Sequence, residues 1–268
     1  SRDWSSDVCS SDLFKNIFIQ PAAGDSGTSL GSALLLNHQH LDQPREFVME
    51  TAFLGPDYQD ADYESALKQF DLPFVKTATN YARFAAKKLA EGKIIGWFQG
   101  KMEFGPRALG NRSIIGSPLV QDMKEVLNAR VKFREGFRPF AAIVLEEDCG
   151  QYFDCDFPNP YMLLVYNIRN EYLGKLPAIT HVDHSVRIQT VNNNENPQMR
   201  ELLEAFKAET GYSVLVNTSF NIKGEPIVCT PYDAVHSFDR ADMDYLIMGK
   251  YLLDKKQQPK VEVRSEEH

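Results

Sequence analysis

A dense group of charged and flexible residues stands near the middle of the chain, in GWFQGKMEFGPRALGNRS between Gly96 and Ser113. The segment holds three cations, one carboxylate, one glutamine and four glycines. Arginine presents a planar fork of donors that suits phosphate and carboxylate groups. Glycine lets the backbone approach a ligand closely. The combination predicts a binding site for an anion.

The charge around this segment supports the same interpretation, because nine cations and only four acids lie between Lys93 and Pro139, whereas the whole chain has a formal net charge of −8. An acidic protein needs such a local basic region to capture an anion. The competing interpretation is a solvated basic helix face. We favour the anion site because the charges lie in Gly- and Pro-containing loop sequence beside Trp97 and Phe98. The cations are Lys93, Lys101, Arg107, Arg112, Lys124, Arg130, Lys132, Arg134 and Arg138.

A second polar group lies in HVDHSVRIQTV, which places His181, Asp183, His184, Arg187 and Gln189 close together. The two histidines and the aspartate could bind a metal, but no further ligand pattern accompanies them. We favour a polar cluster in which Arg187 contacts an anion. Strand alternation would put Arg187 and Gln189 on one face.

A third group, VNTSFN, follows a buried apolar run, so Asn217, Ser219 and Asn221 would stand where α/β sheets bind ligands. The same residue types are ordinary turn formers, and both interpretations stay open. Asp25 in AAGDSGT is likewise either a turn former or a ligand for a metal-bound nucleotide.

Alternating strands and helices from Lys93 onward predict an α/β fold to position these groups. Helices are predicted near residues 29–36, 80–91, 120–131 and 231–238, and the clearest one runs from the cap Asn196 through Pro197 to Gly211. The region from Asn37 to Glu64 predicts a connecting segment with little regular structure. Strands are predicted at Phe14 to Gln20, KIIGWFQ, FAAIVLE, YMLLVYNI, VRIQTV, YSVLVN and DYLIMG, the last being the final strand.

Composition narrows the class of protein. No apolar run approaches the roughly 20 residues that a membrane span needs. The acidic balance argues against nucleic-acid and anionic-membrane partners. The four cysteines form no CxxC pair, which predicts reduced thiols in a cytoplasmic protein. We expect residues 1–13 and part of residues 259–268 to be non-native, because both ends resemble translated sequencing adapters.

Four ordered motifs resemble the O-carbamoyltransferase family of the nodulation, cephamycin and tobramycin type (NodU/CmcH type). They are EGKIIGWFQGKMEFGPRALGNRSIIGSP, EGFRPFAA, THVDHSVRIQTV and NTSFNIKGEPIV. IFIQPAAGDSGTSLGSAL is similar to the end of the family's amino-terminal domain, so the resemblance covers Phe14 to about Leu253.

The resemblance implies a YrdC-like twisted mixed sheet with flanking helices at residues 77–258. The end of an actin-like domain and a linker would precede it at residues 14–76. In the family, the carboxy-terminal domain makes carbamoyl-adenylate from carbamoyl phosphate and ATP with Mg²⁺. The amino-terminal domain holds Fe²⁺ or another divalent metal and transfers the carbamoyl group to an acceptor hydroxyl. Asp25 matches one aspartate ligand of that metal.

Motif position implies the roles of individual residues. Lys101, Arg107 and Arg112 would be catalytic, with Ser113 beside the phosphates and with Arg138 and Arg187 as second candidates. Lys101 stands where the family more often has an arginine, so it keeps the charge without the bidentate fork. Asn217, Ser219 and Asn221 would hold the nucleotide. Further binding candidates are Gln99, Glu103, His181 and Asp183.

Two alternatives remain open from the sequence. One is a threonylcarbamoyl-adenylate synthase of tRNA modification, which uses threonine and bicarbonate. The other is a fragment that binds nucleotide without catalysis.

Overall fold

The computed structural model describes residues 18–46, 48–77, 81–155 and 157–259. The tail predicted at 1–13, almost all of the tail predicted at 259–268, and the first four residues of the strand predicted at Phe14 to Gln20 lie outside these ranges. Residues 18–20 have no regular secondary structure.

A nine-stranded mixed sheet forms the centre of the described structure, which confirms the predicted α/β class. The strand order is β1-β9-β8-β2-β3-β7-β4-β6-β5, in which β2 with β8 and β4 with β6 are parallel and the other pairs are antiparallel. The strands are β1 Val75–Lys76, β2 Ile95–Phe98, β3 Arg112–Gly116, β4 Ala141–Leu145, β5 Val165–Asn167, β6 Ser185–Val191, β7 Val214–Ser219, β8 Tyr245–Met248 and β9 Tyr251–Asp254.

Helices flank the sheet, as the family resemblance implied. They are α1 Thr28–Leu35, α2 Asp60–Gln69, α3 Ala82–Ala90, α4 Met123–Val126, α5 Cys149–Tyr152, α6 Pro197–Thr210 and α7 Pro231–Arg240. π-Helical turns follow α1 at Leu36–His40 and α4 at Leu127–Lys132. Short 3-10 turns lie at Asp25–Gly27, Glu146–Asp148, Asn170–Tyr172 and Lys255–Gln257. Within the described ranges, no helix is both long and apolar enough to cross a membrane.

Both faces of the sheet are buried under helices, which gives three layers. Ile143 packs on the side of α3 and α6, whereas its neighbours Ala142 and Val144 pack on the side of α2 and α7. This alternation explains why the central strands read as continuous apolar runs. Because β1 pairs with β9 and α2 lies in the second layer, part of the segment predicted as linker joins the same sheet and core.

The caps predicted for α6 are confirmed. The Asn196 side chain accepts a hydrogen bond from the Met199 amide at 3.0 Å, and Pro197 opens the first turn. Gly211 ends the helix in the left-handed conformation at φ 82°. Asn196 therefore fixes where α6 begins, beside the charged motif.

Several predicted elements differ from the observed ones. β3 is a buried strand of five residues that begins at Arg112, inside the charged motif. It was not predicted, because the residues around its start are polar. β7 extends beyond the predicted strand YSVLVN, because Thr218 and Ser219 also pair with β3. α2 occupies residues predicted as irregular, and Gln59 and Asp62 form its capping box. The helix predicted over 120–131 narrows to α4 and a π-helical turn, YMLLVYNI narrows to β5, and β9 follows the strand predicted to be last.

Candidate functional site

A cavity of about 150 Å³ opens at the end of β7, and three arginines line it. We call it the arginine cavity. Arg107 comes from the loop before β3, Arg134 from the segment before β4, and Arg187 from β6. None of the described residues that line it is a carboxylate. The lining residues are Pro106, Arg107, Ala108, Arg134, Pro139, Phe140, Ala141, Met162, Arg187, Asn217, Thr218 and Ser219.

The arginines raise the positive potential around the cavity. Burial lowers the pKa of Arg187, and the nearby charge of Arg107 lowers it further. Burial also lowers the pKa of Arg134, and the nearby charge of Arg138 lowers it further. The Arg134 side chain is fixed by a 2.7 Å hydrogen bond from its Nε to Asn128 Oδ1 and by the face of Phe140, 4.7 Å away. Guanidinium groups stay charged in proteins, so this arrangement favours a bound anion.

Glu103 shapes the loop that carries Arg107, residues 104–111, which we call the arginine loop. Its Oε1 accepts hydrogen bonds from the amides of Leu109 and Asn111, both at 2.7 Å, and of Arg112 at 3.1 Å. Gly105 has φ 120°, and a Cβ there would lie 2.8 Å from the Pro21 carbonyl oxygen. Glu103 thus acts on the loop backbone from a buried position.

A lysine cluster adjoins the cavity through Ser219. Lys132 is 6% exposed, and its Nζ donates to the Ser219 and Asn221 carbonyl oxygens, to Ser219 Oγ and to Asn221 Oδ1. Burial lowers the pKa of Lys132 to about 7, and the charge of Arg134 contributes in the same direction. Ser219 Oγ also donates to Asn221 Oδ1 at 2.7 Å. Ser219 and Asn221 were predicted for nucleotide binding, and the structure brings them together around a cation.

Two buried amides connect the cavity wall to the arginine loop. Asn217 Nδ2 donates to the Ala108 carbonyl oxygen at 3.1 Å and to Gln189 Oε1 at 2.9 Å. Gln189 Nε2 in turn donates to the Leu109 carbonyl oxygen at 2.8 Å. Strands β6 and β7 are therefore fixed to the loop that carries Arg107.

The other predicted residues of the charged motif lie away from the cavity lining. Arg112 is fully buried, and its Nη1 donates to the carbonyl oxygens of Gln99 and Gly100 at 2.7 and 3.0 Å. The Gln99 side chain is 3.5 Å from the Ile247 carbonyl oxygen, and Ser113 Oγ accepts from the Gly110 amide. The Lys101 side chain is exposed. These contacts favour a role in holding the backbone, and the catalytic roles expected for Lys101 and Arg112 stay predictions.

The remaining candidates lie elsewhere. Arg138 pairs with Glu135 at 2.9 Å and is half exposed. Asp183 and His184 line a different, open cavity of about 500 Å³ with Asp154 and Arg169. Asp183 accepts from Ser185, and His181 Nδ1 lies 3.4 Å from Asp183 Oδ1. The structure therefore separates Asp183 and His184 from Arg187, although all of them belong to one sequence motif.

Asp25 does not stand in a metal-binding group. It is exposed in a 3-10 turn, and its carbonyl oxygen accepts from Thr28 Oγ1 at 2.7 Å. In the described part of the chain, no three His, Cys, Asp or Glu side chains come together to hold an ion. The described residues therefore do not form a site for a resident metal.

Sequence reasoning missed Lys132 and Arg134 as site residues. Both were counted in the basic stretch, but the nearby Arg138 was chosen. The available signal was their i, i+2 spacing after a predicted helix. That spacing leaves the partners unidentified, because Ser219 lies 87 residues farther along the chain.

The chain belongs to the carbamoyltransferase family: residues 86–255 match the model described as the carbamoyltransferase C-terminus. The arginine cavity and the lysine cluster lie within this match.

Similar proteins include an uncharacterized protein of Synechocystis sp., sll1178, at 46% identity over 93% of this chain and 45% of the relative. Nodulation protein NolNO of Sinorhizobium fredii is 43% identical over 92% of this chain and 37% of the relative. The 3'-hydroxymethylcephem-O-carbamoyltransferase of Amycolatopsis lactamdurans is 35% identical over 92% of this chain and 45% of the relative. The chain thus spans less than half the length of these relatives.

Similar solved structures include P. abyssi Sua5 complexed with L-threonine, with TM-score 0.47 and 16% identity over 63% of this chain and 46% of that one. T. kodakarensis HypF has TM-score 0.46 and 17% identity over 69% of this chain and 22% of that one. At these TM-scores, the likeness to the two structures is limited to the course of the backbone.

Proposed function

We propose that this chain carries the site that forms carbamoyl-adenylate from carbamoyl phosphate and ATP, within an ATP-dependent O-carbamoyltransferase. The observation that supports it is the arginine cavity, which Arg107, Arg134 and Arg187 line with no carboxylate among the described lining residues. Membership of the carbamoyltransferase family supports the carbamoyl group as the cargo. The acceptor hydroxyl would be met by another part of the full-length protein.

The proposed reaction has two balanced steps. Water hydrolyses bound carbamoyl phosphate to carbamate and inorganic phosphate. A carbamate oxygen then attacks the α-phosphorus of ATP, and the bond between the α-phosphorus and the α,β-bridging oxygen breaks to release pyrophosphate. Mg²⁺ enters with ATP as part of the substrate and screens the phosphate charges.

The protein's part in this scheme is positioning and electrostatics. Arg107 and Arg187 hold the phosphoryl group of carbamoyl phosphate, since both line the same small cavity. Arg134 lines the same cavity, and its charge also acts on Lys132 in the lysine cluster. The buried Lys132 ammonium is already engaged by Ser219 and Asn221, so its proposed part is to hold these two residues beside the cavity for the nucleotide.

The test is exchange of labelled pyrophosphate into ATP by the 268-residue chain, with and without carbamoyl phosphate. We expect exchange that depends on carbamoyl phosphate. Arg187→Ala should lower it about 100-fold, the usual effect of removing one preorganised donor. Arg187→Lys should recover only part, because the bidentate fork is lost. Arg83→Ala, an exposed arginine on α3, is the matched control and should leave exchange unchanged.

The other outcomes separate the alternatives. Exchange that requires threonine and bicarbonate would identify a threonylcarbamoyl-adenylate synthase instead. Nucleotide binding without exchange under either condition would mean that the chain binds ATP but does not adenylate on its own. Equal exchange by Arg187→Ala and Arg83→Ala would show that the arginine cavity is not the site.

A further inference from the structure

The Asn217 side chain combines burial, a fixed orientation and an unused acceptor. It is 1% exposed, and Asn217 lines the arginine cavity. Both of its amide hydrogens are engaged, one by the Ala108 carbonyl oxygen and the other by Gln189 Oε1. Its Oδ1 accepts no hydrogen bond from any described residue.

The hydrogen-bond chain determines which way both amides face. A carbonyl oxygen only accepts, so Asn217 must direct its NH₂ group, not its oxygen, toward Ala108. Gln189 must likewise direct its NH₂ group toward the Leu109 carbonyl oxygen, which leaves Gln189 Oε1 for Asn217. Reversing either amide would place two oxygens against each other. Asn217 Oδ1 is therefore an acceptor that cannot be exchanged for a donor.

A buried acceptor without a donor destabilises the protein, because it has lost its hydrogen bonds to water and gained none in their place. Where such an acceptor lines a cavity, a ligand that donates a hydrogen bond to it removes this destabilisation. The cavity volume of about 150 Å³ lies below the usual range for drug-sized ligands, so the ligand that reaches Asn217 is small. The arginines require that ligand to be an anion, whereas Asn217 requires an N–H or O–H group next to the negative charge.

We infer that Asn217 is a specificity-determining residue whose Oδ1 accepts a hydrogen bond from the amino group of carbamoyl phosphate, with Gln189 as its positioning residue. The inference rests on the proposed function. It adds the reason for choosing a carbamoyl over an acyl phosphate: acetyl phosphate has a methyl group in place of NH₂ and cannot donate. A site with a fixed buried acceptor discriminates against such an analogue, because binding it would leave the acceptor unpaired.

The first experiment needs no substitution. Calorimetry on the 268-residue chain measures the dissociation constants of carbamoyl phosphate, acetyl phosphate and inorganic phosphate under one buffer and salt condition. We expect carbamoyl phosphate to bind at least about tenfold more tightly than acetyl phosphate. Acetyl phosphate, which has no N–H or O–H group to donate, reports on the arginines alone, and inorganic phosphate tests whether the site binds a simple phosphate.

The variants test which side chain causes the preference for carbamoyl phosphate over acetyl phosphate. Asn217→Leu removes the acceptor at similar size, and should bring the carbamoyl-to-acetyl affinity ratio close to one. Gln189→Met leaves Asn217 in place but frees its amide to turn, so the ratio should fall while acetyl phosphate binding is retained. Asn193→Ala, an exposed asparagine, is the control and should keep the ratio. The ratio is measured within one folded protein, so a general loss of stability does not change it.

Four results are possible for the wild-type chain and its Gln189→Met variant. A wild-type preference that is lost in Gln189→Met supports the inference. Equal wild-type affinity for carbamoyl and acetyl phosphate overturns the inference but leaves the proposed function standing, as does a preference that Gln189→Met retains in full. No binding of carbamoyl phosphate at all overturns both.

Discussion

At the residue scale, the buried Lys132 makes the stability of the folded chain depend on pH. Its pKa of about 7 in the folded chain lies below the ordinary value near 10.4, because burial disfavours the charged form. Between these pH values the unfolded chain binds more protons than the folded one. Stability therefore rises with pH across this window, and the lysine contributes no pH dependence well below pH 7.

The first prediction is that this rise disappears in Lys132→Met. We expect the wild-type chain to gain about 2 kcal/mol more unfolding free energy than the variant between pH 7 and 9, which the pKa difference requires. Urea unfolding at several pH values measures it. Parallel pH profiles of the two proteins would mean that Lys132 stays protonated in its cluster. The measure is the difference in slope, so a constant offset caused by the lost hydrogen bonds does not matter.

At the element scale, one carboxylate holds the arginine loop. Glu103 is 6% exposed, and three backbone amides donate to a single oxygen, while Oε2 is buried without a partner. Hydrogen bonds to an ionised acceptor are about twice as strong as neutral ones. The loop conformation thus depends on the charge of Glu103.

The second prediction concerns Glu103→Gln, which keeps the shape but removes the charge. We expect a loss of about 2 kcal/mol in unfolding free energy, and a higher KM for carbamoyl phosphate because Arg107 is less well positioned. Denaturant unfolding and exchange kinetics measure the two effects. Glu125→Gln on α4 is an exposed control and should change stability by less than about 0.5 kcal/mol. Equal stability of both variants would contradict the anchoring role.

The helices and strands also differ in how well their bounds could be predicted from the sequence. α6 could be predicted with its ends, because Asn196, Pro197 and Gly211 act within one or two turns of the chain. β3 could not, since its first residue is an arginine whose burial depends on distant carbonyl groups. Arg107 and Arg187, both predicted for anion binding from the sequence, line one cavity, and anion binding there stays a prediction. The fine structure of this candidate site was not predicted, because the contacts of Lys132 with Asn221 join residues 89 apart in sequence.

At the scale of the whole molecule, Arg112 ties separate parts of the chain to the sheet. Its guanidinium lies 3.6 Å from the centre of the Phe98 ring and donates to carbonyl oxygens of Gln99, Gly100 and Asn111. It also donates to the Pro56 carbonyl oxygen at 3.3 Å, which joins the segment before α2 to the central strands. Truncation would leave the Gln99 and Gly100 carbonyl oxygens without this donor, whereas the Pro56 oxygen would still accept from the Met102 amide.

The last prediction is that Arg112→Ala destabilises the fold before it affects any chemical step. We expect a loss of at least about 3 kcal/mol in unfolding free energy, because each unsatisfied buried acceptor costs roughly 1–3 kcal/mol. Lys101→Ala, in the same motif but exposed, should lose less than about 0.5 kcal/mol. Urea unfolding of both variants checks this. If Arg112→Ala is as stable as the wild type but inactive in pyrophosphate exchange, the guanidinium acts on substrate, and its buried contacts would have to rearrange when ligand binds.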